Sequence, residues 1–224
     1  MNCEAIIFDF GGILLPIDYQ AVARSFDALM PGGNAQIYSQ QKQLPVFDAL
    51  ERGETSAAEF LAALKEIFPD AAEQQLQDAW NSILGPMPAE RLTLLEKVRK
   101  NYRIFLLSNT NVIHAAHFEQ DFKERFGQLP EAWFDGIYYS YECGFRKPEK
   151  AIFDLVMLEN NLDARRTVFF EDTIANVEGA LQAGIPTVFV NIHEGQSTED
   201  YFDAGTGLLH NEKLRTDLRM PSFS

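Results

Sequence analysis

Cysteine is almost absent from this chain: Cys3 and Cys143 are the only two among 224 residues. Two thiols so far apart argue against a disulfide framework and against a thiolate metal site. They read as reduced side chains of a cytoplasmic protein. Long apolar runs are missing too, and none reaches the roughly 20 residues that a membrane-spanning helix needs. The first apolar segment is short, has no basic leader and is broken by Asp9, so it does not read as a secretion signal. Basic residues are scarce: 19 Lys and Arg against 33 Asp and Glu leave a formal charge of −14. Generic nucleic-acid binders and anionic-membrane binders need a basic surface, so neither partner is expected. A small anionic ligand stays open, because a few local cations and a metal invert the field inside a cleft. Internal repeats and low-complexity tracts are also lacking.

What is present is enough apolar residue to bury a full core in one large domain or two small ones. Five runs read as buried parallel strands, at 5–10, 103–108, 136–141, 167–171 and 186–191. They are near-continuous in apolar residues, as strands covered on both faces must be. Helical patterns separate the later ones: 87–100 with Leu92, Leu95 and Val98 on one face, a segment marked by Ile152, Val156 and Leu158, and a third with Ile174, Val177 and Leu181 before Gly184. Alternating strand and helix predict an α/β fold with a doubly wound, Rossmann-like parallel sheet. After about Gly195 the tail turns acidic and Gly/Ser-containing, with one helix expected around 211–218 and mobile final residues.

The interval between the first two strands differs. It is far longer than an ordinary crossover and holds only helical patterns. Ser56-Ala57-Ala58-Glu59 fits a capping box, followed by an apolar face of Phe60, Leu61, Leu64, Ile67 and Phe68. Leu76, Trp80, Ile83 and Leu84 form another, and Pro31-Gly32-Gly33 and Glu51-Arg52-Gly53 punctuate the segment as turns. Residues 17–86 therefore read as an inserted helical cap domain, and 1–16 with 87–224 as the core. Such an insert suits a lid that excludes water and selects substrates, with a structural bundle as the plainer reading.

Asp9 closes the first run, in Ile6-Ile7-Phe8-Asp9-Phe10-Gly11-Gly12. Open α/β sheets build their ligand sites at that end of a strand, and a charge there is costly unless paired, metal-bound or reactive. Polar groups follow later apolar runs at Ser108-Asn109-Thr110-Asn111, Arg146-Lys147-Pro148 and Glu171-Asp172-Thr173. Singly, each has an ordinary explanation: Asp9 forming a turn, Ser108 and Asn109 capping a helix, Lys147 solvated in a loop, Glu171-Asp172 opening a helix. Jointly, four in order predict an active site made from four strand ends. His114 and His117 lack acidic partners at ligand spacing and read as surface or packing residues.

These segments resemble the four motifs of the haloacid-dehalogenase superfamily of hydrolases, over nearly the whole chain, and the insert resembles the subgroup with a helical cap. Glu51-Arg52-Gly53-Glu54, Ser108-Asn109-Thr110-Asn111 and Gly144-Phe145-Arg146-Lys147-Pro148 are most similar to the α-D-glucose-1-phosphate phosphatase-like branch. The resemblance implies a Mg²⁺-dependent phosphomonoester hydrolase acting on a small phosphate ester, a sugar phosphate first, through an aspartyl-phosphate on Asp9. It assigns the metal to Asp9, the Gly11 carbonyl and Asp172. Lys147 would neutralise Asp9 and the phosphoryl group, and Ser108 with the Asn109 backbone amide would donate to phosphoryl oxygens. Glu171 would orient metal-bound water, with direct ligation left open, and Asn176 is a further polar candidate one turn beyond Asp172.

One position departs from the superfamily pattern. Phosphatases usually carry a second aspartate two residues after the nucleophile to protonate the leaving alcohol; here it is Gly11. Loss of such a group costs roughly 10²–10⁴-fold, although the sugar-phosphatase branch shows glycine there as well. Asp18 is placed too far along the chain to be assigned that role. The gap keeps two alternatives: a non-catalytic phosphate-binding or regulatory module, and a metal-independent haloacid dehalogenase. Phe47 and Arg52 are candidate specificity residues in the cap, Phe47 being equally suited to its core.

Overall fold

The computed structural model of the protein describes residues 2–30 and 45–221, and the Pro31-Gly32-Gly33 turn and the last three residues lie outside them. Strand β1 (Ala5–Phe8) is buried throughout and leads through the Gly11–Gly12 turn into a helical insertion. The turn forms because the Phe10 carbonyl accepts from both Leu14 and Leu15, so the chain leaves the sheet two residues before its apolar run ends. The insertion comprises α1 (Tyr19–Leu29), α2 (Pro45–Glu51), α3 (Ala57–Ile67) and α4 (Glu73–Asn81). Asp18 caps α1 by accepting from the Gln20 and Ala21 amides at 2.8 and 2.9 Å, and Ser56 with Glu59 completes the capping box of α3. These helices bury their apolar faces against one another, with Phe26, Phe47, Phe60, Leu64 and Trp80 fully enclosed.

After α5 (Ala89–Val98) the chain alternates β2 (Arg103–Ser108), α6 (Val112–Phe126), β3 (Gly136–Tyr139), α7 (Ser140–Cys143), α8 (Lys150–Glu159), β4 (Thr167–Glu171), α9 (Ile174–Gln182) and β5 (Thr187–Phe189). With a last short strand, β6 (Leu218–Arg219), the sheet order is β3-β2-β1-β4-β5-β6, with β1 to β5 parallel. The period-two alternation of the strands splits the core in two. Ile6, Phe8, Ile104, Leu106, Val168 and Phe170 face α5 and α6, whereas Ile7, Phe105, Leu107 and Phe169 face α8 and α9. This is the doubly wound α/β core with its helical insertion. Among the described residues no helix is long and apolar enough to cross a membrane.

Three local expectations change. Leu158 is 79% exposed, because residues advance about 100° each around a helix and Leu158 falls opposite the buried Ile152, Phe153 and Val156 face. The tail keeps its expected helix and adds core residues and a strand that the sequence did not announce. Tyr201 and Phe202 enter the core, and α10 (Asn211–Asp217) ends where β6 (Leu218–Arg219) adds an antiparallel edge to β5. Two residues carry too little periodicity to announce a strand. Finally, Arg146-Lys147 does not directly follow β3, since α7 and Gly144 intervene.

Candidate active site

Three strands deliver the polar groups directly. Asp9 follows β1, Ser108 ends β2 and Glu171 ends β4, so parallel pairing in register brings their side chains to one edge of the sheet. The Asp9 amide donates to the Phe170 carbonyl at 3.0 Å, continuing the pairing one residue past the strand. Lys147 reaches the same point from its loop. The Asn109 side chain clamps the Lys147 backbone, donating from Nδ2 to its carbonyl at 2.8 Å and accepting its amide at Oδ1 at 2.9 Å. Asn109 therefore does not cap α6. Asn111 does, accepting from the Ile113 and His114 amides at 3.1 Å each.

Lys147 is 1% exposed. Its ammonium contacts Asp9 Oδ1 and donates to Glu171 Oε2 at 2.8 Å, lying 5.3 Å from the Phe169 ring centroid. Burial alone would lower its pKa, but the two carboxylates outweigh that and hold it above the ordinary lysine value. The second oxygen of Glu171 accepts from the Asp172 and Thr173 amides at 3.1 and 3.0 Å. Both Glu171 oxygens are thus engaged, Oε2 by Lys147 and Oε1 by the two amides, although a carboxylate oxygen can accept more than one partner.

Ligand oxygens of Asp9, Glu171 and Asp172 all lie within 4.8 Å of one another. One ammonium cannot neutralise three crowded carboxylates. Burial, then the Glu171 charge, pushes Asp9 up to about 7, and burial with the Asp9 and Glu171 charges pushes Asp172 up to about 8. The donor set is all oxygen apart from the lysine, which suits a hard divalent cation such as Mg²⁺. On chemistry and charge the residues fit such an ion.

A cleft of about 320 Å³ opens over these groups, bordered by Asp9, Gly11, Ser108, Asn109, Lys147, Glu171, Asp172 and Asn176. All of the expected catalytic, phosphate-binding and metal residues meet there. Arg146 of the third segment borders the cleft too, and other walls carried no site signal in the sequence: Ile17, Tyr19, Ile83 and Leu84 of the insertion, and His114 and His193 of the core. Ile17 leans over Gly11, where an added Cβ would lie 3.0 Å from its Cγ1. Asp18 is an exposed helix cap and does not border the cleft. Phe47 is fully buried against Phe60 and Trp80, at 5.1 and 4.7 Å between ring centroids, and Arg52 pairs with Asp48 and Glu149 rather than facing the cleft. Glu51 does face it, and its Oε2 lies 2.9 Å from an Arg146 nitrogen. His114 is buried, which agrees with a packing role, but it also borders the cleft.

Comparison with known proteins places this geometry. A D-ribitol-5-phosphate phosphatase of Bacteroides thetaiotaomicron is 27% identical over 184 residues, spanning 81% of this chain and 89% of that protein. A phosphorylated carbohydrates phosphatase of Thermotoga maritima is 24% identical, spanning 90% and 91%. Among solved structures, a HAD family enzyme of B. thetaiotaomicron crystallised as an alanine variant with magnesium and inorganic phosphate superposes with a TM-score of 0.78. It is 29% identical over 83% of this chain and 92% of that one. An L-2-haloacid dehalogenase of Xanthobacter autotrophicus, 21% identical with a TM-score of 0.57, shares the fold. The haloacid dehalogenase-like hydrolase family matches residues 3–184, and the chain belongs to that family.

Proposed function

We propose that this chain is a Mg²⁺-dependent phosphatase of small phosphate monoesters, sugar phosphates foremost, with Asp9 as the nucleophile. The observation that carries the reading is the cluster of Asp9, Asp172 and Glu171, with the sealed Lys147 ammonium paired to Asp9 and Glu171, open to a cleft on one side. The names of the two curated relatives support the substrate class. Mg²⁺ held by Asp9, the Gly11 carbonyl and Asp172 would supply the positive charge that lets a carboxylate approach a phosphate dianion.

The chain's own residues do the rest. Lys147 orients Asp9 and favours its ionised form against burial, and its charge favours the phosphoryl group beside it. Ser108 and the Asn109 amide offer donors to phosphoryl oxygens at the end of β2. Asp9 then attacks phosphorus, the bond to the alcohol breaks, and water hydrolyses the resulting aspartyl-phosphate. Glu171 fixes Lys147 and the Asp172 backbone, a positioning role. Asn176 borders the cleft at α9 as a further polar contact. Gly11 moves no proton, so the leaving alcohol must draw its proton from elsewhere or leave slowly.

In this reading residues 17–86 act as the cap and 1–16 with 87–224 as the catalytic core, supported by an apolar cluster that runs from Val22 to Ile83 and takes in Ile113 of α6 from the core. A cytoplasmic location belongs to the same proposal, supported by the unbridged Cys3 and Cys143. The test is phosphate release from a panel of sugar phosphates and other small esters, with Mg²⁺ and with chelator. Mg²⁺-dependent release is expected; no release from any ester overturns the reading.

A further inference from the structure

His114 holds an acceptor that nothing in the fold uses. Its ring stacks on Trp80, 4.3 Å between centroids at 26°, and Nε2 lies 3.2 Å from the Trp80 carbonyl. A carbonyl only accepts, so Nε2 carries the hydrogen. Burial pushes the imidazole down to about 3, which keeps it neutral at physiological pH and leaves Nδ1 a bare acceptor. No described residue donates to Nδ1, yet it is not among the polar atoms sealed inside protein, and the ring borders the cleft. The stack, the bond to Trp80 and the Asn111 cap on the His114 amide fix its position.

Glu51 repeats the pattern from the insertion. It is 5% exposed and borders the cleft; its Oε2 is sealed 2.9 Å from an Arg146 nitrogen without forming a hydrogen bond, and no described residue donates to Oε1. Burial holds its pKa above the ordinary glutamate value despite the Arg146 charge, so the group offers the cleft a hydrogen-bonding oxygen rather than a cation trap. Ile17, Ile83 and Leu84 supply apolar wall nearby. A ligand that brings no hydrogen-bond donor would strip water from both acceptors and leave them unpaired, which is the costly arrangement. A hydroxylated one would satisfy them.

Resting on the phosphatase reading above, we propose that His114 Nδ1, with Glu51 as a second acceptor, binds hydroxyl groups on the alcohol portion of the substrate, so that the cleft selects polyhydroxylated phosphate esters over plain alkyl ones. His114 is on this account a specificity-determining residue. The expected discrimination from one such unpaired acceptor is roughly ten- to hundredfold.

The test compares kcat/KM for a pentitol phosphate and a hexose phosphate with that for n-butyl phosphate. The wild-type protein should favour at least one hydroxylated ester. In His114→Gln the amide nitrogen still reaches the Trp80 carbonyl but nothing replaces Nδ1, and the preference should fall about tenfold or more, chiefly through KM. His114→Asn places an oxygen where Nδ1 was and should retain most of the preference. If His114→Gln melts below the assay temperature, His114→Phe keeps the stack and takes its place. An unchanged preference, or an equal loss on all three esters, overturns the proposal. So does a wild-type protein that hydrolyses n-butyl phosphate as well as the others, whereas a wild type that hydrolyses no ester overturns the phosphatase reading itself.

Discussion

A methyl group on Gly12 would lie 2.1 Å from Oδ2 of Asp172. Gly12 also sits at φ +80°, where side chains other than hydrogen are strained. The second glycine of the first motif therefore makes room for the carboxylate of the fourth. Gly12→Ala should cost about 1–2 kcal/mol from the backbone alone, and should weaken Mg²⁺ binding at least about tenfold by displacing Asp172. Calorimetric titration with Mg²⁺ beside a thermal melt separates the two effects; binding of wild-type strength in a folded variant would show that Asp172 is not needed there.

Asp9→Asn removes the nucleophile but little volume. Phosphate release should fall by several orders of magnitude, with the folded state intact by circular dichroism because Lys147 keeps Glu171 as its partner. Turnover near the wild-type rate would remove Asp9 from the chemistry.

Glu171 and Asp172 are adjacent but should answer Mg²⁺ differently. Asp172→Asn should weaken binding by about tenfold or more, as loss of a carboxylate ligand does. Glu171→Gln should change it less, because both Glu171 oxygens are already bonded to Lys147 and to backbone amides. It should instead lower the melting temperature, since a buried ammonium is left with one charged partner. Equal losses of Mg²⁺ affinity in the two variants would make Glu171 a ligand.

Metal-free protein should lose stability as pH rises across the neutral range. Burial and the crowded carboxylates push Asp9 and Asp172 up to about 7 and about 8 in the fold from an ordinary value of 3.8, so the folded state holds the extra protons. Their contribution is therefore present below the unfolded value and lost as pH rises through the folded ones. With chelator, the melting temperature should fall between about pH 6 and pH 8, and the increase produced by Mg²⁺ should grow over the same span. A Mg²⁺ effect independent of pH would contradict this coupling.

Phe47→Ala should cost roughly 3–5 kcal/mol, the usual range for emptying a buried aromatic site. Phe47 packs on Phe60 and Trp80 away from the cleft, so the order of preference among esters should not change. A reordered preference would return Phe47 to the specificity residues.

The doubly wound core, the helical insertion and the residues of the four motifs were determined by the sequence itself. Buried parallel strands must be near-continuous apolar runs, so polar groups such as Asp9, Ser108 and Glu171 stand out at their ends. The family pattern made Lys147 legible as well. Tertiary structure decided what those residues do to one another. Asn109 holds the Lys147 backbone across 38 positions of chain, and Glu171 spends both oxygens on Lys147 and the neighbouring amides; no local pattern encodes either contact. It also moved Phe47 into the insertion's core and turned Glu51 and His114 toward the cleft. Which side of a short helix faces the site depends on how the insertion lies across the sheet, and that is set by the packing of two apolar surfaces far apart in the chain.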